Sequence, residues 1–126
     1  MTSMSRSASV VATPETIKAL QGLPVGMKTG LNILLRLPNG QLTIRFPAGQ
    51  SLTFKGKSAG PVAELHVRDY RFIRRALAGG DVGLGEGYME GEWTTPDLTA
   101  LLSFFSVNLD AKPDIVAGGP ITRFFH

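Results

Sequence analysis

Three glutamates, the single tryptophan and one of two tyrosines crowd into residues 81–93, a stretch that also holds glycines at 83, 85, 87 and 91. Two chemistries suit that mixture. Glycines at alternate positions let a backbone approach phosphate or adenosyl groups, and Asp81, Glu86, Glu90 and Glu92 have the residue types of paired acid–base carboxylates. The surroundings support neither. A cofactor glycine loop follows a buried parallel strand and opens a helix, whereas Gly83-Leu-Gly85-Glu-Gly87 follows a helical pattern closed by Gly79-Gly80. The Walker lysine is absent, and position 88 is Tyr where the dinucleotide pattern places glycine. Acid–base work needs a pocket that shifts pKa values, and the pattern indicates a solvated or contact-forming loop instead.

Other catalytic groups are scarce. With no cysteine, thiol nucleophiles, thiolate zinc sites, disulfides and iron–sulfur clusters are excluded, and the redox compartment stays open. Two histidines are too few for a histidine-rich metal site. His66 shares a strand face with Glu64 and Arg68, opposite Ala63, Leu65 and Val67, and reads as a surface residue; His126 ends the chain. Serines and threonines fall in caps, tails and strand faces without a histidine and acid spaced as a triad. No catalytic residue and no metal ligand is assigned.

Binding chemistry is better represented. Arg71, Arg74 and Arg75 lie off the apolar stripe of a helical segment, and Lys55 and Lys57 stand in the turn after a strand. These five residues are the candidates for contact with phosphate headgroups, each near-surface cation adding roughly 1 kcal/mol before salt screening. Charge is divided along the chain. Residues 1–80 carry eleven Lys/Arg against three acids, a balance of +8, and residues 81–126 carry two against seven, a balance of −5. Such a split means either that the halves face different partners or that they neutralise each other on folding. Nucleic acid is disfavoured, because the basic residues are not interleaved with aromatics.

The elements that position these residues read as one α+β domain. Its 126 residues suffice for one core, and 15 glycines and 8 prolines imply many turns. Residues 1–12 read as a disordered tail, 13–110 as the domain and 111–126 as a linker. Thr13-Pro14-Glu15 predicts a helix from Pro14 to about Gln21. Alternation at Leu31, Ile33, Leu35 and Leu37, then at Leu42, Ile44 and Phe46, predicts a β-hairpin turning at Asn39-Gly40. Leu52 with Phe54, and Ala63 with Leu65 and Val67, give two more strands, all four expected to be antiparallel. Phe72, Ile73, Ala76 and Leu77 mark an amphipathic helix stopped by Gly79-Gly80. Leu98, Leu101, Leu102 and Phe105 mark another, from Thr94 to about Leu109. No run of about 18 apolar residues spans a bilayer, and the N-terminus lacks a signal h-region.

At the glycine-rich segment the sequence resembles a known family. Gly80-Asp81-Val-Gly83-Leu-Gly85-Glu86-Gly-Tyr88-Met89-Glu-Gly91-Glu-Trp93, followed by Asp97-Leu98 and Leu101-Leu102, is similar to the N-terminal region of cyclopropane-fatty-acyl-phospholipid synthases. Leu37-Pro38-Asn39-Gly40 and Val67-Arg-Asp69-Tyr-Arg-Phe72 extend the likeness over roughly residues 30–109. The run departs at Gly87, where that family often has Ser or Ala.

The resemblance implies an accessory domain of a two-domain enzyme that transfers a one-carbon unit from S-adenosylmethionine to unsaturated phospholipid acyl chains. In that family the cofactor site and catalytic residues belong to a downstream methyltransferase domain, which the resemblance places beyond the residues of this chain. The implied fold is a twisted antiparallel sheet of about four to five strands covered by amphipathic helices, similar to sterol-carrier-type lipid-binding folds. The implied partners are the chain's own catalytic domain and an anionic phospholipid surface, with a cytoplasmic, peripheral position at the inner membrane. Arg71, Arg74, Arg75, Lys55 and Lys57 are expected at headgroups; Glu86, Tyr88, Met89 and Trp93 are expected at the missing domain or a lipid entrance. A free-standing lipid or sterol carrier is the alternative, and it requires an enclosed apolar cavity of roughly 300 Å³ or more. A purely structural docking module is the third reading.

Overall fold

Three runs alternate between buried and open side chains, the third from Val62 onward, and they build the centre of a sheet. The computed structural model describes residues 10–111. Strands β2 (Asn39–Arg45), β3 (Ser51–Lys55) and β4 (Ser58–Val67) bury Leu42, Ile44, Leu52, Phe54, Ala63, Leu65 and Val67 on one face. Two short strands, β1 (Val10–Val11) and β5 (Trp93–Thr94), complete the order β1-β3-β2-β4-β5. Helices α1 (Pro14–Ala19), α2 (Val25–Leu34), α3 (Arg71–Met89) and α4 (Leu98–Ala111) supply the second layer. Ile17, Met27, Leu31, Phe72, Leu101 and Phe104 join the sheet residues in a single core.

The α+β class holds, with five strands, but the sheet is mixed. β2 pairs antiparallel with β3 and parallel with β4, and β1 pairs parallel with β3. The expected all-antiparallel arrangement fails because the link from β3 to β4 crosses the start of β2 instead of turning back beside β3. Gly56 N donates to Gly40 O and Ser58 N to Pro38 O at that crossing.

Residues 31–37 are the second correction. They do not form a strand; α2 runs to Leu34, because burial at Met27 and Leu31, with Leu34 and Leu35 packed on the core, follows the helical period. Their alternation arises from a leucine-rich run and not from a pleat. Asn39-Gly40 accordingly is no hairpin turn. It opens β2 at a bulge, where the register shifts between Asn39 and Gln41 and Gly40 takes φ 80°. The hairpin turn lies instead at residues 46–50, closed by Phe46 N to Gln50 O.

Three smaller shifts complete the comparison. Val10 and Val11, expected in the tail, are β1, and residues 1–9 and 112–126, the rest of the tail and of the linker, lie outside the described residues. Helix α1 ends at Ala19, its start fixed by the Thr13 and Thr16 side chains and backbones capping each other. Helix α4 begins at Leu98 and not at Thr94, because Thr94 is pinned in β5 opposite His66 and the Asp97 carboxylate caps Ala100 N at 3.0 Å.

The opposite sheet face is polar. Thr43 and Thr53 hydroxyls lie 3.1 Å apart, and Glu64 Oε1 meets His66 Nε2 at 2.8 Å and Arg45 Nε at 3.5 Å. The His66 hydrogen bond first, and then the Arg45 charge, hold the Glu64 carboxyl below its ordinary value against the opposing effect of burial. A depressed carboxylate contributes stability that is complete at neutral pH and is lost as pH falls through its folded value. Glu64→Gln is therefore expected to flatten part of the loss of urea stability between pH 7 and pH 3.5. The half-exposed setting limits the effect to less than about 1 kcal/mol, and an unchanged acid slope would refute the assignment.

Candidate functional site

Helix α3 is two helical segments meeting at Gly80, whose φ of 60° and ψ of −137° are open only to glycine. A continuous helix would separate Phe72 from Gly87 by about 22 Å. Instead a Cβ at Gly87 would lie 2.8 Å from Phe72 Cβ, and one at Gly83 would collide with the Arg75 carbonyl. The second segment therefore folds back along the first, with the four-residue spacing of Gly83 and Gly87 placing both on the contact face. Gly80 does end the first helical segment, as the Gly79-Gly80 pair predicts, but the glycine-rich stretch beyond it is a second helical segment through Met89 and not a loop.

This hairpin settles the position of several predicted residues. Arg75 lies 100° around the helix from Arg74 and turns to Glu92, donating from Nε and from a terminal nitrogen at 3.1 Å each. The Glu92 side chain is 4% exposed, so Arg75 is the charge that compensates a buried carboxylate. Trp93 is 3% exposed and donates from Nε1 to Leu84 O at 2.9 Å, with Tyr88 packed on its ring at a centroid distance of 4.9 Å. Arg75 and Trp93 are consequently internal fastenings. Met89 is 82% exposed, Tyr88 and Glu86 are exposed as well, and Glu86 reaches Arg75 only at 4.0 Å. An adenosyl group does not fit the glycine run, since the atoms of Phe72 and Arg75 occupy the space beside Gly83 and Gly87.

The other side of the first α3 segment faces α2. Gly26 and Gly30, again four apart, let α2 approach until their Cβ positions would lie 3.1 Å from Leu77 Cδ1 and 3.2 Å from Ile73 Cδ1. Beside this contact lies an open groove of about 660 Å³ whose apolar lining is Pro24, Gly26, Ile73, Leu77 and Ala78. Asp69, Tyr70, Arg71 and Arg74 line it as well. Arg71 donates to Asp69 Oδ2 from Nε at 3.0 Å and from a terminal nitrogen at 2.8 Å, and its backbone N reaches Oδ1 at 2.9 Å. These bonds hold the Asp69 carboxyl below the usual range, while burial pushes the Tyr70 hydroxyl up. Arg74 is exposed and makes no ion pair among the described residues.

Of the five headgroup candidates, the fold brings Arg71 and Arg74 to this groove and diverts Arg75 to Glu92. Lys55 pairs opposite Gln41, at the start of β2, and Lys57 follows it; α3 begins beyond the other end of β4, roughly 30 Å along that strand. The lysines and arginines are therefore two separate sites. Sequence reasoning missed the apolar groove lining, for which the paired glycines at 26 and 30 are the available signal. It also missed Asn108, a fully buried amide. Among the described residues no cluster of three potential metal ligands occurs, and no helix is long and apolar enough to cross a membrane. No family model, curated protein or solved structure matches the chain.

Proposed function

We propose that this chain is a non-catalytic lipid-binding domain that holds anionic phospholipid for a methyltransferase of the cyclopropane-fatty-acyl-phospholipid synthase type. The observation that carries this reading is the α2–α3 groove, whose lining combines apolar side chains with Arg71 and Arg74. An aliphatic lining combined with cations is the pairing that an amphiphile with an anionic head requires. The resemblance of residues 80–93 and their flanks to that family supplies the reaction class. S-adenosylmethionine, the one-carbon donor, belongs in this proposal to the partner catalytic domain. Exposed Met89, Tyr88 and Glu86 at the end of the α3 hairpin are the surface offered to that domain.

The proposed location is peripheral, on the cytoplasmic face of an inner membrane. The groove favours presentation over enclosed transport, because it is open to solvent and would leave a bound chain accessible to a second domain. The space between sheet and helices is filled by Leu31, Leu42, Ile44, Leu52, Leu101 and Phe104.

Co-sedimentation with phosphatidylglycerol vesicles tests the reading. The double variant Arg71→Gln, Arg74→Gln is expected to bind about 25-fold more weakly, at roughly fivefold per near-surface cation. Binding should also weaken on raising salt from 0.05 to 0.5 M. Arg75→Gln is expected to lower the unfolding temperature without this selective loss. Co-sedimentation indifferent to both salt and the double variant would end the headgroup role.

A further inference from the structure

We propose that the α2–α3 groove takes up one acyl chain of an anionic phospholipid, with the lipid phosphate seated on Arg74, so that the domain draws a chain out of the bilayer as well as touching headgroups. This rests on the lipid-binding reading above and assigns that reading its ligand geometry.

Polarity is ordered along the groove. Its α3 wall steps from Tyr70 and Arg71 through Ile73 and Arg74 to Leu77 and Ala78, residues that share one side of the helix at spacings of three and four. The charged side chains, Asp69, Arg71 and Arg74, fall at the start of this wall. From Tyr70 to Leu77 the helix rises about 10 Å, and over that distance the lining changes from ionic to purely aliphatic. On the α2 wall Pro24 and Gly26 add no charge. An uncharged polar ligand would leave the arginines unused, and a free inorganic anion would leave the apolar lining unused.

Charge fixes the head. The Arg71 guanidinium donates twice to Asp69 Oδ2, so that this carboxylate cancels the cation, while Arg74 has no ion-pair partner among the described residues. The rim thus presents one uncompensated positive charge, which matches the single negative charge of a phosphodiester, and a guanidinium can bind two of its oxygens at once. The helices touch at Gly26 and Gly30, where an added Cβ would lie 3.1 Å from Leu77 Cδ1 and 3.2 Å from Ile73 Cδ1. In this proposal a single aliphatic chain takes the space beside that contact and the second stays in the bilayer.

The test uses the full chain and monomeric lysophosphatidylglycerols of 10 to 16 acyl carbons, each below its micelle-forming concentration, titrated calorimetrically. Affinity is expected to rise about fourfold per added methylene and then to level off once the groove is filled. Ala78→Trp, at an exposed position on the groove wall, is expected to weaken binding at least tenfold with the thermal unfolding midpoint unchanged. Arg74→Gln is expected to weaken it about tenfold for every chain length, leaving the increment per methylene intact. Glycerol 1-phosphate binding as tightly as the lysolipids, or an Ala78→Trp variant that binds normally, would overturn the acyl assignment. Tighter binding of a fatty carboxylate than of the phosphodiester would overturn the head assignment. Vesicle binding that persists while monomeric lysolipid fails to bind defeats the groove alone; loss of both defeats the lipid reading itself.

Discussion

Gly83→Ala should destabilise the protein by about 3 kcal/mol or more, while Gly85→Ala, two residues on in the same helix, should stabilise it by about 0.5–1 kcal/mol. The two substitutions add the same methyl group. At Gly83 it would coincide with the backbone carbonyl of Arg75, and a backbone atom flanked by helix on both sides cannot step aside as a side-chain end can, which places the change at the upper end of overpacking costs. At Gly85 nothing lies within 4 Å of the added Cβ, so what remains is the reduced entropy of the unfolded chain and alanine's better helix propensity. Urea unfolding of the two variants side by side checks the opposite signs. Equal midpoints would mean that α3 does not double back at Gly80.

Asn108→Ala is expected to cost about 3 kcal/mol, an unusually large loss for a small polar side chain. Asn108 is fully buried and serves as a missing strand. Its Oδ1 accepts from Asn39 N at 2.9 Å, and its Nδ2 donates to Asn39 O at 2.9 Å and to Phe104 O at 2.8 Å. Truncation strands the donor and acceptor of Asn39 at the start of β2, each at roughly 1–3 kcal/mol when water cannot reach it. Asn108→Asp keeps the acceptor but loses both donated bonds and places a charge in the core, so it should be no better than alanine. Denaturant unfolding measures both; a loss below about 0.5 kcal/mol for alanine would show that solvent reaches the end of β2.

Much of the fold was legible in local pattern. The alternation at Leu52 and Phe54 and at Ala63, Leu65 and Val67, the stripe at Phe72, Ile73, Ala76 and Leu77, and the α4 stripe all lie where periodicity places them. Two failures share a cause. Leu31, Ile33, Leu35 and Leu37 satisfy the period of a strand while Met27, Leu31 and Leu34 satisfy that of a helix, and a leucine-rich run cannot choose between them without its packing partners. Asn39-Gly40 does signal a positive φ, but a bulge needs that conformation as much as a hairpin does. The parallel pairing of β2 with β4 depends on a crossing made by two residues, and no local signal records it.

The candidate site was legible in its charges and not in its shape. Arg71 and Arg74 were recognisable as solvent-side cations of one helix. Arg75 was not separable from them, because its partner Glu92 comes alongside only after the chain reverses at Gly80. The pairs Gly26 with Gly30 and Gly83 with Gly87 are the overlooked cue. Each is spaced for one helix face, and together they sandwich the first segment of α3 between two close neighbours.

The mixed sheet sets an order on assembly. Within α3 the contacts join residues only eight to fifteen apart, Arg75 to Gly83 and Phe72 to Gly87, so the helical hairpin closes short loops and can form early. β2 sits at the centre of the sheet but receives its parallel partner from residues about twenty further on, and its first residue is closed by an amide 69 positions away. Contacts of that separation slow the search for the native state. During synthesis, Asn39 therefore waits for its final hydrogen bonds until α4 has been made, and the hydrophobic face of β2 depends on its neighbours to shield it until then.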